Sequence, residues 1–445
     1  MKYESYQLHN YKSIEKIGKL SAADRKAIEV VGRVLPFKAN SYVVNKLIDW
    51  SNIPEDSIFT LCFPRREMLQ DEHFYQVERL IDSGADLKTT RKAVAEIRET
   101  LNPHPAKQHL NVPKIGNTKL LGMQHKYRET ALFFPSQGQT CHAYCTFCFR
   151  WPQFSGMEGM RFAMKEVDLL SKYLERHREV TDLLFTGGDP LTMTASAIAK
   201  YVDALLDEKL YNIQTIRFGT KSLAYWPYRF LTDPDADNLL RVFEKIVHSG
   251  KNLAIMAHFN HPVELSTNAV QKAIKRIRST GAQIRTQSPV LNHVNNNSDL
   301  WAEMWRKQVN LNCIPYYMFV ARDTGAKQFF DIPLVDCWDI FREAYSRVSG
   351  VCRTVRGPSM SASPGKIQIL GVSDMPGGEK VFVLRFLQGR NPDWVHRPFF
   401  AKYDPKATWM NMLRPAFGEE KFFFEEELNQ CYHENFPGSE TENFE

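Results

Sequence analysis

Three cysteines crowded into residues 140–150, TCHAYCTFCFR, are the side chains of this sequence best placed to do chemistry. Cys141, Cys145 and Cys148 follow a C-x3-C-x2-C spacing in a loop short enough that they share a ligand if they hold one. Thiolates gathered this tightly bind a metal or an iron–sulfur cluster, or they pair as disulfides. A disulfide leaves one cysteine over. Structural zinc wants four ligands; His142 lies inside the loop, but no second C-x2-C pair occurs in the chain. A four-iron cluster held by three thiolates keeps one iron open to an outside ligand, which suits catalysis better than electron storage.

Other stretches carry weaker signals of the same kind. In TGGDP, Gly187 and Gly188 let backbone approach a ligand closely and Asp189 could face a positive group; the plain alternative is a tight turn into a helix. In HFNHP, His258 and His261 lack a third metal ligand nearby, and a positioning role on a rim fits them better. Lys366 ends PSMSASPGK. A lysine is ordinarily solvated, yet one flanked by Ser361, Ala362, Ser363, Pro364 and Gly365 could form a Schiff base with pyridoxal 5′-phosphate (PLP), with backbone amides near the phosphate.

These residues need a scaffold, and the pattern supplies one. Residues 1–115 read as helices joined by polar turns, with Ser21 as a cap and helical spacing up to Pro103 and Pro105. From residue 116 to 346 the pattern alternates, with strands expected at 130–135, 180–188, 212–220, 252–260, 282–290 and 314–320 and amphipathic helices between them. Six such units imply parallel strands with right-handed crossovers, hence an open or partial α/β barrel. Every residue singled out above, apart from Lys366, falls where a strand runs out into its loop, which is where such folds place function. Residues 347–417 read as a C-terminal region in which the alternation stops and which covers one end of the barrel. Residues 418–445 read as an acidic tail whose last dozen residues are expected to be disordered.

Composition excludes several classes. The 445 residues are 43% hydrophobic and 24% charged, enough for a sizeable core in one or two domains. A net charge of +6 with scattered basic residues does not prompt a nucleic-acid partner. No run of 18 apolar residues offers a membrane span, and the polar first residues offer no signal peptide, so a cytoplasmic protein is expected. Cys62, Cys313, Cys337, Cys352 and Cys431 are too scattered for a disulfide framework and read as buried thiols.

The cysteine loop, with Phe147 before its last cysteine, resembles that of the radical S-adenosylmethionine (SAM) enzymes, in which SAM chelates the open iron and its reductive cleavage gives a 5′-deoxyadenosyl radical. LPFKANSYVVNKLIDW, QHKY, LLFTGGDPL, IRFGTKS, HFNHP, QSPVL, PYYMF and PGK, in order from about residue 35 to about residue 372, narrow the resemblance to the lysine 2,3-aminomutase family. The resemblance implies a partial (βα)6 TIM-like radical SAM barrel with a helical N-terminal region and a C-terminal extension. It implies a [4Fe-4S] cluster on Cys141, Cys145 and Cys148, SAM with its amino group on Gly187, Gly188 and Asp189, and PLP on Lys366. Lys126, Arg128 and His258 become further cofactor contacts, and Arg150 the residue that holds a substrate α-carboxylate. The activity implied is that of an isomerase moving an amino group from one carbon to its neighbour, with an electron donor such as flavodoxin or ferredoxin; the helical N-terminal region and the aromatic C-terminal part offer contact surfaces for a homo-oligomer.

The departures bear on substrate. A glycine run before the PLP lysine is reduced here to SASPGK, and two family arginines appear as Lys126 and Thr130, with Arg128 between them as a replacement. The aspartates that receive the distal ammonium of lysine align with Arg322 and Ser359. A guanidinium there repels an ammonium and attracts a carboxylate or another acceptor, so an amino acid other than lysine is expected. Two alternatives stand beside this reading: a barrel that lost PLP and performs another hydrogen abstraction, and a binding protein whose cysteine loop is a zinc or redox knuckle.

Overall fold

Each short apolar run after residue 130 can be buried on both faces and becomes a strand, and each amphipathic stretch becomes the helix that covers it. The computed structural model describes residues 1–102, 108–157, 160 and 162–435. Its main sheet has eleven strands in sequential order. They are β1 (Met123–Tyr127), β2 (Thr130–Phe133), β3 (Asp182–Phe185), β4 (Thr215–Thr220), β5 (Asn252–His258), β6 (Gln283–Val290), β7 (Ile314–Val320), β8 (Arg356–Ser361), β9 (Gly365–Asp374), β10 (Lys380–Gly389) and β11 (Pro398–Lys402). Strands β2 to β8 are parallel; β1 pairs antiparallel with β2, and β9, β10 and β11 continue antiparallel beyond β8. Strands β1 and β11 are opposite edges, so the barrel is open.

Strand β5 shows why the pattern works: Leu253, Ala254, Ile255, Met256 and Ala257 are buried in succession, as a central parallel strand requires. The helix before it, Ala236–His248, turns Leu239, Phe243 and Ile246 inward while Arg241 and Lys245 stay exposed. Each of those large apolar side chains contributes roughly 1.5–3 kcal/mol by leaving water. Side chains at the helix starts fix the phase: Thr194 accepts from the Ala197 amide, Thr267 from Val270 and Asn297 from Asp299.

The six expected strands form, and the alternation goes one unit further. Helix Leu334–Ser346 leads into β8, a seventh parallel strand that the boundary at residue 346 had cut off. Its sequence, RGPSMS, has neither an apolar run nor a period, so only its neighbours reveal it. The C-terminal region does not cover an end of the barrel; β9, β10 and β11 extend the sheet sideways.

The N-terminal region is helical, with Ala22–Val34, Ser57–Cys62, Asp71–Asp82 and Leu87–Thr100. The last two are separate helices, broken at Gly84 (φ +66°), with Asp86 accepting from the Lys88 and Thr89 amides to start the second. Pro103 and Pro105 lie outside the described residues, as do the last ten residues of the tail, while Glu425–Asn435 is a helix. Among the described residues no helix is long and apolar enough to cross a membrane.

Candidate active site at the strand ends

The loop that follows β2 and carries the three cysteines is held mainly by the N-terminal region, through backbone groups. The Tyr144 amide donates to Lys38 O (2.8 Å) and the Thr146 amide to Leu61 O (3.0 Å). Lys38 Nζ donates to Cys141 O (2.7 Å), and Asn40 Nδ2 to both His142 O (3.1 Å) and Tyr225 O (2.9 Å). Tyr3 Oη donates to His142 O (2.9 Å) and Thr146 Oγ1 to Thr60 O (2.7 Å). An irregular loop this buried is stable only if its peptide groups are satisfied, and these contacts satisfy them.

Cys141, Cys145 and Cys148 line one cavity of about 390 Å³ and form no disulfide; of the others, Cys62, Cys313, Cys337 and Cys352 are buried as expected, whereas Cys431 is half-buried. Burial pushes all three thiols up, Cys145 to about 12. Thiolates are therefore unfavourable here without a strongly positive centre to face them, which is the condition of a site completed by metal. Among the described residues no His, Cys, Asp or Glu group is close enough to hold a single ion. His142 turns away from the cavity: its Nδ1 is 3.0 Å from Ser222 Oγ, and burial holds it neutral, down to about 3.

The glycine turn stacks directly on this loop. The Gly188 amide donates to Gly138 O (3.1 Å) and the Asp189 amide to Thr140 O (2.7 Å). Gly187 has φ +138°, and a Cβ on Gly188 would sit 2.6 Å from Thr140 N and closer still to its carbonyl oxygen. The Asp189 carboxylate is committed inward: it accepts from the Leu191 amide (3.0 Å), the Lys221 amide (2.9 Å), the Thr220 hydroxyl (2.8 Å) and the Ser222 hydroxyl (2.9 Å). Asp189 thus fixes the turn, and the backbone of Gly187 and Gly188 is what the turn can offer a ligand.

Beside it, Lys221 Nζ donates to Asn260 Oδ1 and to Glu264 Oε1, both at 2.7 Å, and Glu264 also accepts from the Asn260 and His261 amides. His261 Nδ1 accepts from the Val263 amide (3.3 Å), so it shapes the turn after β5. His258 lines the cavity; its Nε2 is buried without a partner among the described residues, and burial, with Lys221 nearby, keeps it neutral.

The far wall is rich in cations. Lys366, at the start of β9, has its Nζ 3.1 Å from Gln388 Oε1 and 4.0 Å from the centre of the Tyr317 ring. Burial, with Arg217, Arg356 and Arg322 around it, brings it down to about 7. Lys126 donates to Ala362 O and is depressed for the same reasons, burial first. The segment it touches is held from the other side by Arg390, which donates to Ser363 O (3.0 Å) and Asn111 Oδ1 (2.6 Å). Arg150 lies 4.7 Å over Phe134 and 5.2 Å over Phe149, with Nη1 buried and unpartnered among the described residues. Arg322 lies 4.4 Å over the same Phe149.

Two expected site residues are elsewhere. Arg128 is exposed in the β1–β2 turn, and only its carbonyl is used, facing His125 Nε2 (3.1 Å). Ser359 is fully buried, its hydroxyl on Met318 O (3.4 Å), and does not line the cavity. The cations that sequence reasoning missed are Arg217, which lines the cavity while paired with Asp182 (2.7 Å), and Arg390 behind it. Arg217 had a signal: an arginine at an alternate position of the apolar strand TIRFGT. Lys38 and Asn40, whose side chains donate to backbone carbonyls, had none.

No family model matches the chain. Against curated proteins it is 29% identical over 396 residues to "Putative L-lysine 2,3-aminomutase" of Aquifex aeolicus, covering 89% of this chain and 92% of that one. It is 24% identical over 273 residues to L-lysine 2,3-aminomutase of Clostridium subterminale, covering 61% of this chain and 62% of the relative. It is 23% identical over 252 residues to glutamate 2,3-aminomutase of Clostridioides difficile, covering 56% of each. A radical SAM methyltransferase structure from Sphaerobacter thermophilus aligns at a TM-score of 0.37 with 16% identity over 65% of this chain and 94% of that one, too loose a likeness to say more. With its cysteine loop, glycine turn and lysine on one cavity, the chain is similar over nearly its whole length to a protein named as a lysine 2,3-aminomutase.

Proposed function

We propose that the chain is an aminomutase-type isomerase whose substrate is an amino acid with a carboxylate in its side chain. One observation carries this: the three cysteines, the glycine turn, Lys366, Arg150 and Arg322 line a single cavity. Cys141, Cys145 and Cys148 would hold a [4Fe-4S] cluster, the backbone at Gly187 and Gly188 with His258 would hold SAM, and Lys366 would hold PLP with its phosphate toward Lys126 and residues 361–363. When bound, these groups supply an electron, a hydrogen-abstracting radical and a carrier for the migrating amino group.

The chain's own residues do the rest. Arg150 takes the α-carboxylate, and Phe149 braces both guanidiniums, which lie within about 10 Å of each other. That leaves Arg322 for the far end of a four- or five-carbon amino diacid. Two buried guanidiniums on one cavity favour an anionic occupant and repel an ammonium. The Tyr317 and Phe319 rings wall the cavity beside Lys366.

The test is protein purified without oxygen, reconstituted with iron, sulfide and PLP, reduced, and given a panel of amino acids, with 5′-deoxyadenosine release measured. A diacid is expected to lead, and Arg322→Asp is expected to lower its kcat/KM about 100-fold, the scale of removing one partner from a buried charge pair. Lysine outrunning every diacid would end the acidic-substrate reading. A cluster and SAM cleavage with no pyridoxal absorption would favour the PLP-independent alternative, which the loss of the family's glycine run before Lys366 prompts.

Lys366 also gives a pH prediction. Burial and the neighbouring arginines disfavour its ammonium, and the neutral amine is the form that reacts with PLP. PLP uptake by the native chain, followed by absorbance after mixing, is expected to speed up as pH rises and to level off above about 7. Continued acceleration toward the ordinary lysine range of about 10.4 would contradict this. The reading also places the protein in the reducing cytoplasm, with flavodoxin or ferredoxin as electron donor.

A further inference from the structure

A fourth thiol stands behind the cysteine loop. Cys62 closes the helix Ser57–Cys62, is fully buried, and its thiol interacts with both Cys145 and the Tyr225 hydroxyl. Tyr225 Oη is 3.6 Å from Cys145 Sγ. The tyrosine has little freedom to move: its ring lies under the Lys221 ammonium at 4.4 Å and its carbonyl accepts from Asn40. Neither residue drew notice from the sequence, where Cys62 reads as one more scattered thiol.

Proton counting sets the direction of these contacts. A ligating thiolate has no proton, and a tyrosine hydroxyl has one. Once Cys145 is bound to iron, its sulfur can only accept, so the tyrosine proton points at it. The Cys62 S–H is then free to donate to the tyrosine oxygen, and both groups are buried, where such a bond is electrostatically stronger than in water.

We propose that Cys62 and Tyr225 form a hydrogen-bond chain ending on Cys145 Sγ that makes the cluster easier to reduce. The proposal rests on the three-cysteine cluster reading above. Reduction moves one electron from an external reductant onto the cluster and breaks no bond. The added charge spreads over the sulfurs, so a donor aimed at one of them stabilises the reduced form more than the oxidised one. Both are positioning residues that act through Cys145.

The experiment is a dithionite titration of the reconstituted full chain with mediator dyes, read by electron paramagnetic resonance, with iron per chain measured in parallel. Tyr225→Phe is expected to keep its iron and make one-electron reduction about tenfold less favourable, a shift of about 59 mV to more negative potential. Cys62→Ala is expected to shift it the same way by less, and to add nothing on top of Tyr225→Phe. An unchanged potential in Tyr225→Phe with iron retained overturns the proposal, as do additive shifts. Where Tyr225→Phe fails to keep iron, Cys62→Ala decides alone: a negative shift supports the chain and an unchanged potential sinks it. A native chain that binds no iron refutes the cluster reading itself, a distinct result.

Discussion

Gly188→Ala is expected to leave a folded chain that no longer holds iron. The added methyl would meet Thr140 N at 2.6 Å and Thr140 C at 2.7 Å, inside any normal contact, and both are backbone atoms that cannot swing aside. Relief requires the glycine turn and the cysteine loop to part, breaking the Gly188-to-Gly138 and Asp189-to-Thr140 hydrogen bonds that register one on the other. The damage is local, because the strands under the turn pair independently of it. Circular dichroism of Gly188→Ala should match the native chain, while iron per chain after reconstitution and SAM cleavage should fall to background. Native-like iron uptake would mean that the turn does not set the loop.

The second large effect is on stability. Glu264 is completely buried and holds three donors: Lys221 Nζ and the Asn260 and His261 amides. Glu264→Ala strands a buried ammonium and two peptide groups at once. Removing one partner of a buried ion pair costs about 3–5 kcal/mol, and the loss should show in urea unfolding of the apo chain as a lower midpoint with an unchanged slope. Glu264→Gln keeps acceptor capacity for the amides and should lie between the two. A change under about 1 kcal/mol in Glu264→Ala would show that Lys221 finds water or another acceptor.

How far the sequence carried depended on the kind of interaction involved. The cysteine spacing and the strand-ending positions of Gly187, His258 and Arg322 were legible because ligand sets and strand periods are local patterns. Strand β8 was not, since RGPSMS has no period and is a strand only through pairing with β7 and β9. Arg128 and Ser359 were misplaced because alignment fixes position along a chain and not direction in space. Arg128 sits on a hairpin turn facing solvent, and Ser359 lies two residues deeper on β8 than Ser361, which does reach the cavity. Asp189 was in place, but its role changed once four neighbouring residues claimed its carboxylate. Side-chain to backbone contacts such as those of Lys38 and Asn40 leave no trace in composition or period.

Those contacts have a consequence for assembly. Tyr3, Lys38, Asn40, Thr60 and Leu61 all leave the ribosome before residues 140–150. The clamp is made first and waits for the loop it will grip. A fragment starting at residue 116 would contain Cys141, Cys145 and Cys148 yet lack the partners of the Tyr144 and Thr146 amides and of the Cys141 and His142 carbonyls. The cysteine loop lies at a seam between an early-made brace and a later-made sheet, and on the proposed reading acquisition of iron should report that the two have met.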